Sequence, residues 1–436
     1  MIRSIGLLMA VLLLASGARS FLPADATVTG TGAAFALGVV LLSALLVGKA
    51  FHALKLPHLT GYLACGAILG PDVLGLVTPA MLGDLTLIKR VAVGLIALIA
   101  GCELDLRALR PRLASIGVLA TIALACAAIG LTAVSYFYVL PHIPATAHLE
   151  PLPRLVVAVL IANVLTALSP AVVIGILTET KSQGPLSEAA LSIVVLADLA
   201  IVVAYAATGT VVDATFPTGT ETSSALLDLG GHLFGSMLAG AGLGVVIVVF
   251  ARAVGKHTGL FVFAILFVVA EVGRVLHLDP LLTGLTAGLL IENASALAGE
   301  EVIRETAVAT LPTFALFFAV VGAEVKIEAF VAMAGLAALC AGVRAVGLTV
   351  GTRIARRVVN LDDALANRIP FAMFPQAGIA LALASGVASS SWPWADEVGS
   401  LLLGSILVNE AIGPIFFRMA LDRAGEIGRK DHHGVA

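Results

Sequence analysis

The sequence predicts an all-α polytopic membrane protein: about 13 transmembrane helices behind a signal-like N-terminal segment, in two inverted-topology repeats, each with one broken helix. Three observations predict it. Hydrophobic residues make up 59% of the 436 residues and charged residues 12%, and the mean hydropathy of +1.06 lies far outside the range of a soluble domain. Apolar segments long enough to span a bilayer follow one another along the chain. Two stretches of the first half recur in the second. The formal charge of −3 comes with no basic stripe interleaved with aromatics, which argues against a nucleic-acid partner.

Residues 1–25 combine basic Arg3, an apolar run from Ile5 to Ala15 and small residues before Phe21, the pattern of a signal peptide, with an extra N-terminal helix as the alternative. The expected spans, numbered 1 to 13, are 31–51, 58–77, 87–103, 114–139, 153–178, 187–207, 225–252, 259–276, 281–292, 306–324, 327–351, 367–388 and 398–419. With the start of span 1 outside, the inner loops and tail hold seventeen of the 25 Lys and Arg and the outer side five. Cytoplasmic loops carry such an excess, so the C-terminal tail (420–436) is expected in the cytoplasm. Cys65, Cys102, Cys126 and Cys340 lie in or beside apolar segments without metal-ligand spacing and read as packing residues.

The repeat pairs Pro57-His-Leu-Thr-Gly-Tyr-Leu-Ala64 in span 2 with Pro280-Leu-Leu-Thr-Gly-Leu-Thr-Ala287 in span 9. It also pairs Gly101-Cys-Glu-Leu-Asp-Leu-Arg-Ala108 after span 3 with Gly322-Ala-Glu-Val-Lys-Ile-Glu-Ala329 after span 10. Corresponding spans are seven apart, an odd number, so the copies cross the membrane in opposite senses, as in secondary transporters. The same correspondence sets span 5 against span 12. Span 5 contains Asn163-Val-Leu-Thr-Ala-Leu-Ser-Pro170 and span 12 contains Phe371-Ala-Met-Phe-Pro-Gln-Ala-Gly378. Pro170, Pro375 and Gly378 are helix breakers in mid-membrane. Carbonyls freed there must be satisfied by hydroxyls, water or an ion, and Thr166, Ser169 and Asn163 offer oxygen beside the first break.

Intramembrane charges mark functional sites. Asp198 sits in span 6 with Glu188 and Asp213 as its nearest charges in sequence, roughly 15 and 22 Å away along a helix. Arg344 sits in span 11; a guanidinium that keeps its proton needs an anion, and Asp198 and the ends of the broken helices are the candidates. Glu410 in span 13 is either a second core carboxylate or a group near the inner mouth paired with an arginine such as Arg418. Glu103 and Glu324 end repeat-related spans and read as interfacial. Glu271 and Arg274 suit a helix-face ion pair, and His232 reads as a packing residue.

With these residues in view, the chain resembles the monovalent cation:proton antiporter superfamily, the sodium/proton exchanger fold, in its bacterial form without a nucleotide-binding domain. The resemblance covers about residues 30 to 420 and rests on Pro57-His-Leu-Thr-Gly-Tyr-Leu-Ala-Cys-Gly-Ala-Ile-Leu-Gly-Pro71, Gly101-Cys-Glu-Leu-Asp-Leu106, Thr166-Ala-Leu-Ser-Pro170 followed by Asp198, and Phe317-Phe-Ala-Val-Val-Gly322. It implies a homodimer in the plasma (bacterial inner) membrane, with 31–103 and 259–324 as scaffold and dimer domain. A mobile core of 114–207 and 327–419 would carry crossed spans 5 and 12, and 225–252 would link the two. Asp198 matches the family's ion-binding position and Arg344 that of a basic residue facing it.

Ala197 is a departure. Electrogenic relatives place a second Asp there and other branches Asn, Gln or Lys. One titrating carboxylate and one fixed Arg imply electroneutral exchange of Na+ or K+ for H+ at Asp198, with no cofactor and no enzymatic activity. Two alternatives are a potassium efflux protein of the same superfamily and an organic-anion:sodium symporter on a related fold. The first would normally carry a glycine-rich nucleotide-binding domain, and only 17 residues (420–436) follow span 13. A membrane hydrolase is a weaker third, since no nucleophile and base are placed together.

Overall fold

The computed structural model describes residues 2–19, 32–54, 56–102, 106–216, 225–254, 257–276, 278–324, 327–359, 362–376, 378–388 and 390–429. Among them there is no strand, and nineteen α-helices follow in order. The first ten are α1 (Ile2–Arg19), α2 (Ala33–Ala53), α3 (His58–Leu69), α4 (Pro79–Asp84), α5 (Thr86–Cys102), α6 (Leu106–Val134), α7 (Leu140–His142), α8 (Pro151–Thr166), α9 (Pro170–Thr180) and α10 (Pro185–Thr215). The rest are α11 (Ala225–Ala253), α12 (Thr258–Val275), α13 (Pro280–Ala294), α14 (Ala296–Ala323), α15 (Ile327–Val359), α16 (Asp363–Ala366), α17 (Ile369–Ala372), α18 (Gly378–Ala388) and α19 (Ala395–Ala424). A π-helical turn, Ser135–Val139, joins α6 to α7.

Among the described residues eight stretches are long and apolar enough to cross a membrane, with shorter apolar helices at His58–Leu69 and Pro185–Ala197. Span 2 is shorter than its apolar run suggests. Gly70 leaves helical backbone at ψ 176°, and Pro71 cannot extend the helix behind it. Glu103 lies outside the described residues, as does the side chain of His232.

The chain divides into two units. One comprises Met1–Arg110 and Gly230–Val325, the other Pro111–Leu229 and Lys326–Ala436. In the first, the sequence repeat reappears as matched packing. A Cβ on Gly66 of α3 would strike the Ala319 carbonyl of α14, and one on Gly322 of α14 would strike the Leu63 carbonyl of α3. On the other pair of helices, a Cβ on Gly288 of α13 would strike the Leu98 carbonyl of α5, and one on Gly101 of α5 the Leu285 carbonyl of α13. These contacts are related by the repeat offsets of 222 (288 less 66) and 221 (322 less 101). Each copy's first motif helix therefore packs on the other copy's second. Within lipid, helices gain little from hydrophobicity, and close backbone approach through small residues supplies the packing.

Gly66→Ala and Gly288→Ala are accordingly expected to destabilise this unit by similar amounts, about 1–3 kcal/mol each from overpacking. Thermal unfolding in detergent checks this, with Gly242→Ala as control because a Cβ there meets nothing within 4 Å. Lys89 Nζ bonds both carboxylate oxygens of Glu324, at 2.6 and 2.8 Å. Arg274 Nη2 lies 2.6 Å from Glu271 Oε1, the expected helix-face pair. Cys65, Cys102 and Cys340 are buried, Cys126 is half-buried, and none of the four is in a disulfide among the described residues.

The second unit carries both broken spans. α8 ends at Thr166 and α9 begins at Pro170. α17 ends at Ala372, and after an irregular stretch α18 begins at Gly378. Small residues again allow close approach: Gly347 and Gly351 of α15 lie against Ala127 and Ala123 of α6.

Candidate functional site

Every predicted site residue belongs to this second unit. Pro170 is not the interruption itself. It is the first residue of α9, where a missing N–H costs nothing, and Ser169 before it caps the helix, its Oγ accepting from Val172 N at 3.2 Å. The break in span 5 is the extended stretch Ala167–Ser169. Pro375 stands inside the break of span 12, and Gly378 opens α18. Gly413 of α19 makes room for that break, because a Cβ on it would come within 2.8 Å of the Pro375 backbone.

The carbonyls left at the ends of α8 and α17 have definite partners. Arg344 of α15 is fully buried. Its Nη1 donates to Phe374 O at 2.8 Å, and its Nη2 to Met373 O at 2.8 Å and Ala167 O at 3.0 Å. A single guanidinium therefore holds the C-terminal ends of both broken helices, where backbone dipoles place partial negative charge. Gln376 adds a second clamp: its Nε2 donates to Leu165 O at 2.8 Å and Ala167 O at 2.9 Å. Asn409 of α19 donates in turn to Gln376 Oε1 at 2.8 Å. These amides and the guanidinium satisfy carbonyls that the sequence assigned to hydroxyls, water or an ion.

Gln376 and Asn409 escaped the sequence reading, although Gln376 stood in the quoted span 12 motif and Asn409 immediately precedes Glu410. The signal that singled out Asp198, a polar side chain in an apolar span, was present for each. Both are buried.

Thr166 Oγ1 donates to Asn163 O at 2.9 Å, leaving lone pairs on the hydroxyl. Asn163 Nδ2 donates to Ala204 O at 3.1 Å and to Thr208 Oγ1, both on α10. Asn163 thus cross-links α8 to α10. This departs from its expected place beside Asp198, because its contacts on α10 lie six and ten residues beyond Asp198, roughly 9 and 15 Å along the helix.

The Asn163–Ala204 bond reports the register of α10. Asn163 precedes Ser169 by six residues, and Ala204 follows Asp198 by six. Along antiparallel α8 and α10, position 198 therefore lies about 9 Å from the Asn163 contact, on the side toward the Ala167–Ser169 break. The side chain of Asp198 itself lies outside the described residues, and so does its expected pairing with Arg344.

Glu410 is 4% exposed and its Oε2 has no hydrogen-bond partner among the described residues. The expected pairing with Arg418 is corrected: Arg418 Nη1 lies 3.4 Å from Glu179 Oε1 instead. Arg418 is two helical turns beyond Glu410 on α19, which brings it to α9 rather than back to Glu410.

Comparisons with known proteins agree with this architecture. The structure of the sodium proton antiporter MjNhaP1 from Methanocaldococcus jannaschii at pH 8 superimposes with a TM-score of 0.65 and 15% identity, over 90% of this chain and 98% of that one. This is a likeness of fold. No curated protein sequence matches the chain. The family model for the transmembrane sodium/hydrogen exchanger matches residues 33–423. With two helices broken at matched positions, their C-terminal ends gathered on one buried arginine, and a family match spanning nearly all of its length, this chain belongs to the transmembrane sodium/hydrogen exchanger family.

Proposed function

We propose that the protein exchanges one monovalent cation, Na+ or K+, for one proton, the two competing for Asp198. What supports this reading is the sodium/hydrogen exchanger family match over residues 33–423, together with the bond that ties the broken span 5 to α10, the helix of Asp198. The cation is held by the Asp198 carboxylate with the Ser169 and Thr166 hydroxyls, while Asn163 fixes the two helices. Arg344 and Gln376 hold the negative helix ends, and their two bonds to the Ala167 carbonyl take up both of its lone pairs. The N-terminal dipole of α9 favours an anion at the same level, which makes an ionised Asp198 tolerable between cargoes. The second unit moves as the core of an alternating-access cycle against a dimeric scaffold built from the first, in a plasma membrane with the C-terminus cytoplasmic.

One exchangeable charge implies electroneutral turnover. In proteoliposomes with an imposed pH gradient, added Na+ or K+ is expected to collapse the gradient at a rate unaffected by a clamped membrane potential. Cation-induced proton release from the purified protein, across Li+, Na+ and K+, identifies the preferred ion. A second reading is favoured by one observation, the buried and partly unpartnered carboxyl of Glu410: two protons per cation. Under that reading transport depends on voltage, and Glu410→Gln removes the dependence.

A further inference from the structure

We propose that Glu426 is a positioning residue for the exchange site: from the far end of the chain it fastens the α9–α10 hairpin and so sets Asp198 opposite Ser169. The inference rests on exchange at Asp198 as read above. α10 starts without a cap of its own. Its N-cap residue is Gly184, which makes no side-chain bond, and Pro185 follows. The open amides of the next two residues are taken by a carboxylate some 240 positions away: Leu186 N donates to Glu426 Oε1 and Ser187 N to Oε2, both at 2.8 Å. Ser187 Oγ donates to Oε2 as well, at 2.6 Å.

These are the two amides that a capping Asp or Ser at position 184 would satisfy, and the negative charge suits the helix N-terminus. Position 184 is glycine for a steric reason, since a Cβ there would lie 2.6 Å from Glu426 Cδ and its φ is +155°.

The fastening extends to both arms of the hairpin. Gln183 N donates to the Glu426 carbonyl at 3.2 Å, and Gly428 N donates to the carbonyl of Thr180, the last residue of α9, at 3.0 Å. Glu426 is held in turn by the end of α19. Gly425 adopts a left-handed conformation, and Glu426 N returns to Leu421 O at 3.1 Å. Glu426 is 3% exposed.

From this anchor the arms run back for equal lengths. Eleven residues separate Thr180 from Ser169, and eleven separate Ser187 from Asp198, about 16 Å on each side. A slip at the anchor therefore moves the carboxylate past the hydroxyl it has to share an ion with. The Asn163–Ala204 bond ties α10 to α8 six residues beyond Asp198.

The test uses the full chain, folded and monodisperse in detergent and then reconstituted, with two readouts. One is the yield of a short thiol cross-link between Asn163→Cys and Ala204→Cys, with the four native cysteines replaced by alanine; it reads register without transport. The other is the half-saturating Na+ or K+ concentration and the maximal rate. Glu426→Ala is expected to lower the cross-link yield about threefold and raise the half-saturating cation about fivefold, leaving the maximal rate within about twofold. Ser187→Ala, which removes one bond, moves both readouts in the same direction by less.

An unchanged half-saturating concentration in folded Glu426→Ala overturns the proposal and leaves only a structural cap, as does an unchanged cross-link yield. If Glu426→Ala does not fold, Glu426→Gln and Ser187→Ala carry the test under the same criteria. A wild type that exchanges no cation for protons removes the exchange reading alone; the register claim then stands or falls on the cross-link yield.

Discussion

Arg344→Leu is expected to abolish exchange and to destabilise the second unit together. The substitution removes three donated bonds from one buried side chain and strands the carbonyls of Met373 and Phe374, with Ala167 left to Gln376 alone. Leaving a buried acceptor unmet costs about 1–3 kcal/mol, so the loss is on the order of 3 kcal/mol or more, a large share of a typical stability of about 5–15 kcal/mol. Thermal unfolding of the purified protein measures it.

Arg344→Lys separates charge from geometry. A lysine restores the positive charge at one point but lacks the planar fork that reaches both helix ends. It is expected to recover part of the stability and little of the exchange. Full recovery by lysine would mean that charge alone matters at this position.

Asp198→Asn is the second large effect, and of a different kind. Asparagine has nearly the shape of aspartate but neither titrates nor carries charge, so cation-induced proton release is expected to vanish while the fold persists. The melting temperature is expected to hold or rise, because an intramembrane carboxylate is costly to keep. Proton release titrated with Li+, Na+ and K+ on the same preparation checks both halves of the expectation. Persisting release in Asp198→Asn would move the exchange site elsewhere, with Glu410 the next carboxyl to replace.

The two variants differ because the residues answer to different demands. Arg344 completes backbone hydrogen bonding that two interrupted helices cannot complete alone. Asp198, which we propose binds the exchanged ions, has no such duty. Stability and exchange should therefore fall together in one variant and part company in the other.

Much of this was legible in the chain. The membrane class follows from composition, because burying so much apolar surface in a bilayer needs no tertiary information. The repeat was visible as two motifs at nearly one offset, and its glycines turned out to be where helix backbones meet. The positions of the breaks were visible in Ser169-Pro170 and Pro375, since proline and its neighbours act on local backbone geometry.

What the sequence by itself determined is therefore what local chemistry and periodicity determine: a polytopic helical membrane protein, a duplicated architecture, two interrupted helices, and a few polar groups too costly to be incidental. The tertiary structure decided who answers to whom. It gave the open carbonyls to Arg344 and Gln376, paired Arg418 with Glu179 rather than Glu410, and moved Asn163 from the ion to the helix interface. It also brought Glu426 to the start of α10. The physical reason is that a polar group in an apolar setting must find a partner wherever the fold brings one within about 3 Å. Sequence can name the groups in need, and only the packing of helices hundreds of residues apart selects among the partners.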